Sequence, residues 1–163
     1  MPLFLFALLV HGVIGALDVL INHEWLARLP ATPGAAAEQR LHSGRELIFA
    51  TLFAGLAWFE WHGVLMLAIV ALFGAELCIS VIDTVVEFDT RRLPLSERVL
   101  HVFLFVNLGV MMALLGPYLA AWWGKPTGLM PVSYGPLSWL LSGLAVVALG
   151  WSIRDGLSVR RTA

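Results

Sequence analysis

Long apolar runs decide what this chain can fold into. Residues 64–86 hold only two charged side chains, Glu76 and Asp83, and residues 136–153 hold none. A membrane-spanning helix needs about 20 mostly apolar residues. Five stretches meet that need, at about 3–26, 42–60, 63–88, 97–122 and 135–157. Apolar residues make up 60% of the chain and charged residues 13%, roughly half the charged share of a soluble domain. The expected fold is an all-α integral membrane protein, a bundle of about five transmembrane helices forming one domain over residues 1–163. Its first partner is the lipid bilayer.

The connections suit that reading. Residues 27–41 form a Pro/Gly/Ala-rich loop, and Glu60-Trp61-His62-Gly63 reads as a tight turn broken at Gly63. Pro94 precedes helix 4, with Ser96 the expected N-cap, and Gly116-Pro117 is a candidate kink near its far end. Residues 123–134, with Lys125, Pro126, Gly128 and Pro131, make the last loop. The Met-Pro-Leu-Phe-Leu-Phe start has neither a positive leader nor a small-residue cleavage site, so it reads as a retained helix.

Cations set the expected orientation. Arg28, Arg40, Arg45, Arg91, Arg92, Arg98, Arg154, Arg160 and Arg161 fall on one side, and Lys125 alone on the other. The positive-inside rule then places the N-terminus outside and the C-terminus in the cytoplasm, as in a bacterial-type inner membrane. The seven tryptophans cluster near predicted helix ends, like an interfacial belt. No basic stripe suggests nucleic acid. The single cysteine, Cys78, excludes an internal disulfide or a thiolate metal cage. Gly12 and Gly15 offer close packing on helix 1, and a homo-oligomer or partner subunit suits so small a bundle.

Ionisable groups within membrane helices are costly and tend to be functional. Helical offsets of 4, 7 and 11 share a face. Helix 1 carries His11, Asp18 and Asn22 at offsets 0, 7 and 11, and helix 3 repeats the spacing with Glu76, Asp83 and Glu87. Helix 2 opens with His42 and Glu46, and helix 4 with Glu97 and His101, each pair four apart. At about 1.5 Å per residue, Asp18 and Asp83 lie roughly 6 Å below the cytoplasmic boundary, and His11 and Glu76 roughly 16 Å below it. Four helices thus aim carboxylates and imidazoles at one level. His23-Glu24 falls at the rim, and helix 5, which supplies nothing comparable, is expected to pack outside.

This set has the ligand types of a metal centre. Inward carboxylates and histidines from four helices build di-iron and di-manganese sites, and mixed N/O donors suit iron, manganese or zinc. The candidate ligands are His42, Glu46, Asp83, Glu87, Glu97, His101, Asp18, His11 and Glu76. Asp18, Asp83 and Glu46 are the candidate catalytic groups. Iron implies an oxidoreductase acting on a lipid-soluble substrate near the cytoplasmic face; zinc implies hydrolysis by metal-activated water. Three other readings stand beside it: a proton or divalent-cation transporter, a haem-bearing subunit using histidine pairs, and a structural ion network of Arg45, Arg91, Arg92 and Arg98 with Glu46, Glu87, Asp89 and Glu97.

Overall fold

Proline and glycine punctuate the chain where its helices begin and end. The computed structural model describes residues 1–162. Arg161, counted above for orientation, has a side chain outside the described residues. Helix α1 (Leu3–Asp18) starts after Pro2, and the chain continues from Val19 to Leu26 as a π-helix. It stops at Arg28, which takes a left-handed conformation, before a short 3₁₀ turn over Leu29–Ala31. Helix α2 (Ala36–Trp58) follows Gly34, which has a φ of 85°. Strand β1 (Phe59–His62) leads into α3 (Met66–Thr90), and α4 (Leu95–Trp123) starts after Pro94. Strand β2 (Gly128–Pro131) precedes α5 (Pro136–Thr162). Pro136 occupies the first helical position, where its missing N–H costs nothing.

The bundle is inside-out by the standard of a soluble protein. Its outer faces carry exposed apolar side chains such as Phe88, Val102, Val106 and Val146, while Asp18, Glu76, Asp83, Glu87 and Glu97 are buried. Among the described residues, four helical stretches are long and apolar enough to cross a membrane: Leu3–Ala31, Gly63–Thr90, Leu95–Trp123 and Pro136–Arg160. The fifth expected span, α2, is long enough but not apolar enough, because its first three turns carry Glu38, Arg40, His42, Arg45 and Glu46.

Several local expectations change. The 60–63 turn and the 123–134 loop contain two strands, which pair antiparallel from Phe59↔Pro131 to His62↔Gly128. Gly63 follows with φ 56°, and a Cβ there would come within 2.7 Å of Thr127 Cα, so the close approach requires glycine. Ser96 is not the cap: its Oγ donates to Asn22 Oδ1 at 2.6 Å, and α4 has no side-chain cap. Pro117 does not end α4, which runs on to Trp123. The tryptophans divide, with Trp25, Trp123 and Trp139 outward and Trp122 buried.

Helix α5 is no peripheral strut. Its interface with α2 is the most extensive between any two elements. Hydroxyls stitch it: Ser43 Oγ donates to Ser152 O at 2.8 Å, Ser138 Oγ to Ala57 O at 2.8 Å and Ser158 Oγ to Gln39 Oε1 at 2.6 Å. Small hydroxyl residues let helices approach closely and bond across the seam, which suits packing in lipid.

Candidate metal centre

The interior has an apolar half and a polar half. Phe4, Leu5, Leu8, Leu52, Leu56, Ile69, Met111 and Leu115 fill the half near the N-terminal end of α1. Toward the opposite end, α1 with its π-helical extension, α2, α3 and α4 direct charged and imidazole side chains inward.

Six carboxylates meet there: Asp18, Glu38, Glu76, Asp83, Glu87 and Glu97, each at most 3% exposed. Two guanidinium groups enter among them. Arg45 bonds Glu76 at 3.2 Å and Asp83 at 3.1 Å. Arg91 bonds Glu38 at 2.6 Å and Glu97 at 2.5 Å. Arg91 lies in the loop before α4. Burial works against its charge, but the bonds to Glu97 and Glu38 prevail and hold its pKa above the ordinary arginine value.

Three histidines complete the set. His101 Nε2 is 3.1 Å from Asp18 Oδ2, and its Nδ1 is 3.5 Å from Glu87 Oε2. His42 Nε2 is 3.1 Å from Asp83 Oδ2, and its Nδ1 is buried without a hydrogen-bond partner. His23 stacks on His42 with ring centroids 4.4 Å apart. Its Nε2 is 3.1 Å from Glu97 but out of hydrogen-bond alignment, leaving both ring nitrogens unpartnered.

Among the described residues, two groups of donors approach the proximity a metal ion requires. His23, Glu87, Glu97 and His101 form one, and Glu38, His42 and Glu87 the other, with donor atoms in each within 4.8 Å of one another. Donors on one first-row ion lie at most about 4 Å apart, given bonds of about 2.0–2.2 Å. Each group would therefore have to contract by less than about 1 Å. Glu87 belongs to both groups, and neither of its oxygens has a hydrogen-bond partner.

The sequence-derived residues distribute unevenly around this centre. His42, Glu87, Glu97 and His101 fall within the two groups. Asp18 holds the nitrogen of His101 opposite the one that faces Glu87, the place of a carboxylate that orients a metal-bound histidine, and Asp83 holds His42 Nε2, which also lies 3.9 Å from Glu87. Glu76 is engaged by Arg45 and by Ser80 at 2.8 Å. His11 stacks on Phe49 at 4.4 Å and lies 3.3 Å from Asn107. Glu46 faces a cavity, and neither of its oxygens has a hydrogen-bond partner. Arg91 pairs with Glu97 as the ion-network reading expects, but its other strong partner is Glu38 rather than Asp89.

Two members escaped the sequence reading. The rim position expected for His23 follows from its place near the end of helix 1, and on an α-helix its offset of five from Asp18 would point it about 140° away. The π-helical winding bonds i to i+5 and stacks such residues, turning His23 inward. Glu38 was assigned to a loop, but α2 begins at Ala36. Its spacing from His42 repeats the Glu97–His101 pattern, and that Glu-x-x-x-His pair was the available signal.

Comparison with protein-family models, with curated proteins and with solved structures finds no match to this chain.

Proposed function

We propose that this chain is a membrane-embedded metal-dependent oxidoreductase with a dinuclear centre near the cytoplasmic face. Its ligands are His23, His42, His101, Glu38, Glu97 and a shared Glu87. Asp18 and Asp83 act as positioning residues, fixing the rings of His101 and His42. The five helices, α2 included, form the transmembrane bundle, with the N-terminus outside. Nine arginines against one lysine support that orientation.

The observation that carries the reading is charge. With neutral imidazoles, the six carboxylates face only Arg45 and Arg91 among the described residues, an excess of four negative charges. An unpaired buried charge costs several kcal/mol, so this excess calls for positive counterparts: protons on the three imidazoles, each 3.1 Å from a carboxylate, or bound cations. Two divalent cations at the two donor groups would balance it and give Glu87, His23 and His42 the partners they lack. Buried polar groups are nearly always satisfied, by protein, water or ion.

The N/O donor set suits iron or manganese, with zinc the alternative. A pair of redox-active ions would supply activation of dioxygen toward a lipid-soluble substrate. The chain's own residues would hold the ions, fix the imidazole tautomers and exclude bulk water. Haem fits poorly, since the stacked rings of His23 and His42 leave no slot for a macrocycle between them. For a cation path, Ile69, Phe73, Leu108 and Met111 close the interior beyond Glu76.

Elemental analysis of the purified protein, with an optical spectrum, tests the proposal. Iron or manganese near two per chain is expected, falling sharply in His101→Ala. Zinc at that level would move the chemistry to hydrolysis, and a Soret band to haem. A folded, metal-free protein that takes up none of these ions would sink the metal centre.

A further inference from the structure

Beside the candidate centre, a cavity of about 100 Å³ lies between α1, α2 and α5. Its polar end is formed by Asp18, His23 and His42. The rest of its wall is mainly apolar, with Phe49 and Phe53 from α2 and Leu144 and Val147 from α5. Two glycines of α1 shape it. A Cβ on Gly12 would stand 2.6 Å from Leu144 and 2.8 Å from Phe53, so the helices touch there and close one end. A Cβ on Gly15 would meet nothing within 4 Å. One turn along, the same helix pair stands open.

The mouth lies partway along two helices apolar enough to cross a membrane, with Val147 45% exposed beside it. A lateral opening at that depth admits molecules from the hydrocarbon layer rather than from water. Outside that polar end, His11, Arg45 and Glu46 also bring polar groups to the wall. Both oxygens of Glu46 are buried and lack a hydrogen-bond partner, although Arg45 and Asp83 nearby are paired. A buried acceptor without a donor is costly. It stands one helical turn, about 6 Å, from His42.

We infer that this cavity binds an alkyl chain bearing a hydroxyl, which enters from the bilayer between α1 and α5 and donates a hydrogen bond to Glu46. The inference rests on the metal-enzyme reading above and names its substrate class. The apolar wall accepts hydrocarbon, and the guanidinium that also lines the cavity, Arg45, is already engaged by Glu76 and Asp83. A fatty-acid anion would set a second carboxylate against Glu46. A lipid alcohol satisfies the wall and the acceptor together, and presents the part of its chain about 6 Å from the hydroxyl to the metal-facing histidine.

The test uses the full chain in lipid nanodiscs with a diazirine-bearing tetradecanol as photo-crosslinking probe. Labels are expected on Phe49 and Phe53, which are 7% and 3% exposed, and are expected to be lost in Gly15→Phe and in Val147→Trp. Unlabelled tetradecan-1-ol should compete better than tetradecane. The ratio of the two should fall several-fold, up to about tenfold, in Glu46→Leu, the loss of one hydrogen bond. Comparing variants cancels the different partitioning of the two competitors. Labelling confined to lipid-facing positions such as Val146, an unchanged ratio in Glu46→Leu, or stronger competition by tetradecylamine would overturn the inference. Metal content, measured on the same samples, separates the two readings. Labelling without metal would fail only the metal centre, and metal without labelling only the alcohol site.

Discussion

The two halves of the bundle interior are built on opposite principles. In the half near the N-terminal end of α1, Leu5, Leu8, Leu52, Leu56 and Leu115 are at most 1% exposed and meet only other apolar groups and aromatic edges. In the other half, the same four helices and the loop before α4 bring together six buried carboxylates, three histidines and two arginines. In lipid, which is as apolar as leucine, the first half would draw its stability from close packing rather than from escaping water. The second half gains nothing from apolar burial and is held by directional bonds to charged groups. One half fixes the helices, and the other uses their fixed positions.

Exchanging a residue in each half breaks this comparison most directly. Glu87→Ala removes the carboxylate common to both donor groups. Metal content is expected to fall from about two ions per chain to near zero, while the bundle still folds by circular dichroism. Retention of both ions in that variant would show that Glu87 does not join them. Leu56→Ala should do the reverse. It is expected to cost about 2–5 kcal/mol of stability, read as a lowered unfolding midpoint in detergent, with metal content per folded chain unchanged. Loss of metal in Leu56→Ala would mean that the two halves are not separable.

The smallest expected effect lies at the strand end of the bundle, where β1 and β2 close the apolar half. Glu60 Oε2 is 2.8 Å from His62 Nε2 and 3.2 Å from Lys125 Nζ. The hydrogen bond to His62 leads in holding its carboxyl below the ordinary glutamate range, burial opposes it, and Lys125 adds to the lowering. A carboxyl lowered on folding contributes stability above its unfolded pKa, and that contribution is lost as pH falls through the lowered value. Hydrogen-exchange protection of the amides of 59–62 and 128–131, corrected for intrinsic rates, should therefore weaken below about pH 4. Glu60→Gln should flatten that dependence. An unaltered profile would show that the ion cluster does not support the strand pair.

Much of this architecture was legible in the sequence, for a local reason. Helix-long apolar runs and their Pro/Gly punctuation require no knowledge of neighbours. The same holds for the shared faces of Asp18 with Asn22, Asp83 with Glu87, and Glu97 with His101, which follow from the α-helical repeat. What stayed hidden depended on departures from that repeat or on distant partners. His23 turns inward only through π winding. Glu38 joins the centre only because α2 starts earlier than its Pro/Gly/Ala-rich approach suggests. The strand pair joins segments more than sixty residues apart, and nothing local marks either as extended.

By itself, then, the sequence determined an all-helical chain with apolar spans and polar side chains gathered at one level, because helix periodicity and apolar length are local properties. Tertiary structure decided which polar groups meet. Only packing places Glu87 between two sets of donors, sets Asp18 on the far side of His101 and Asp83 beside His42, and binds α5 along α2. Only packing leaves a cavity beside Glu46. Which side chains share a space depends on how helices are wound, started and set against one another, and those are properties of the whole bundle.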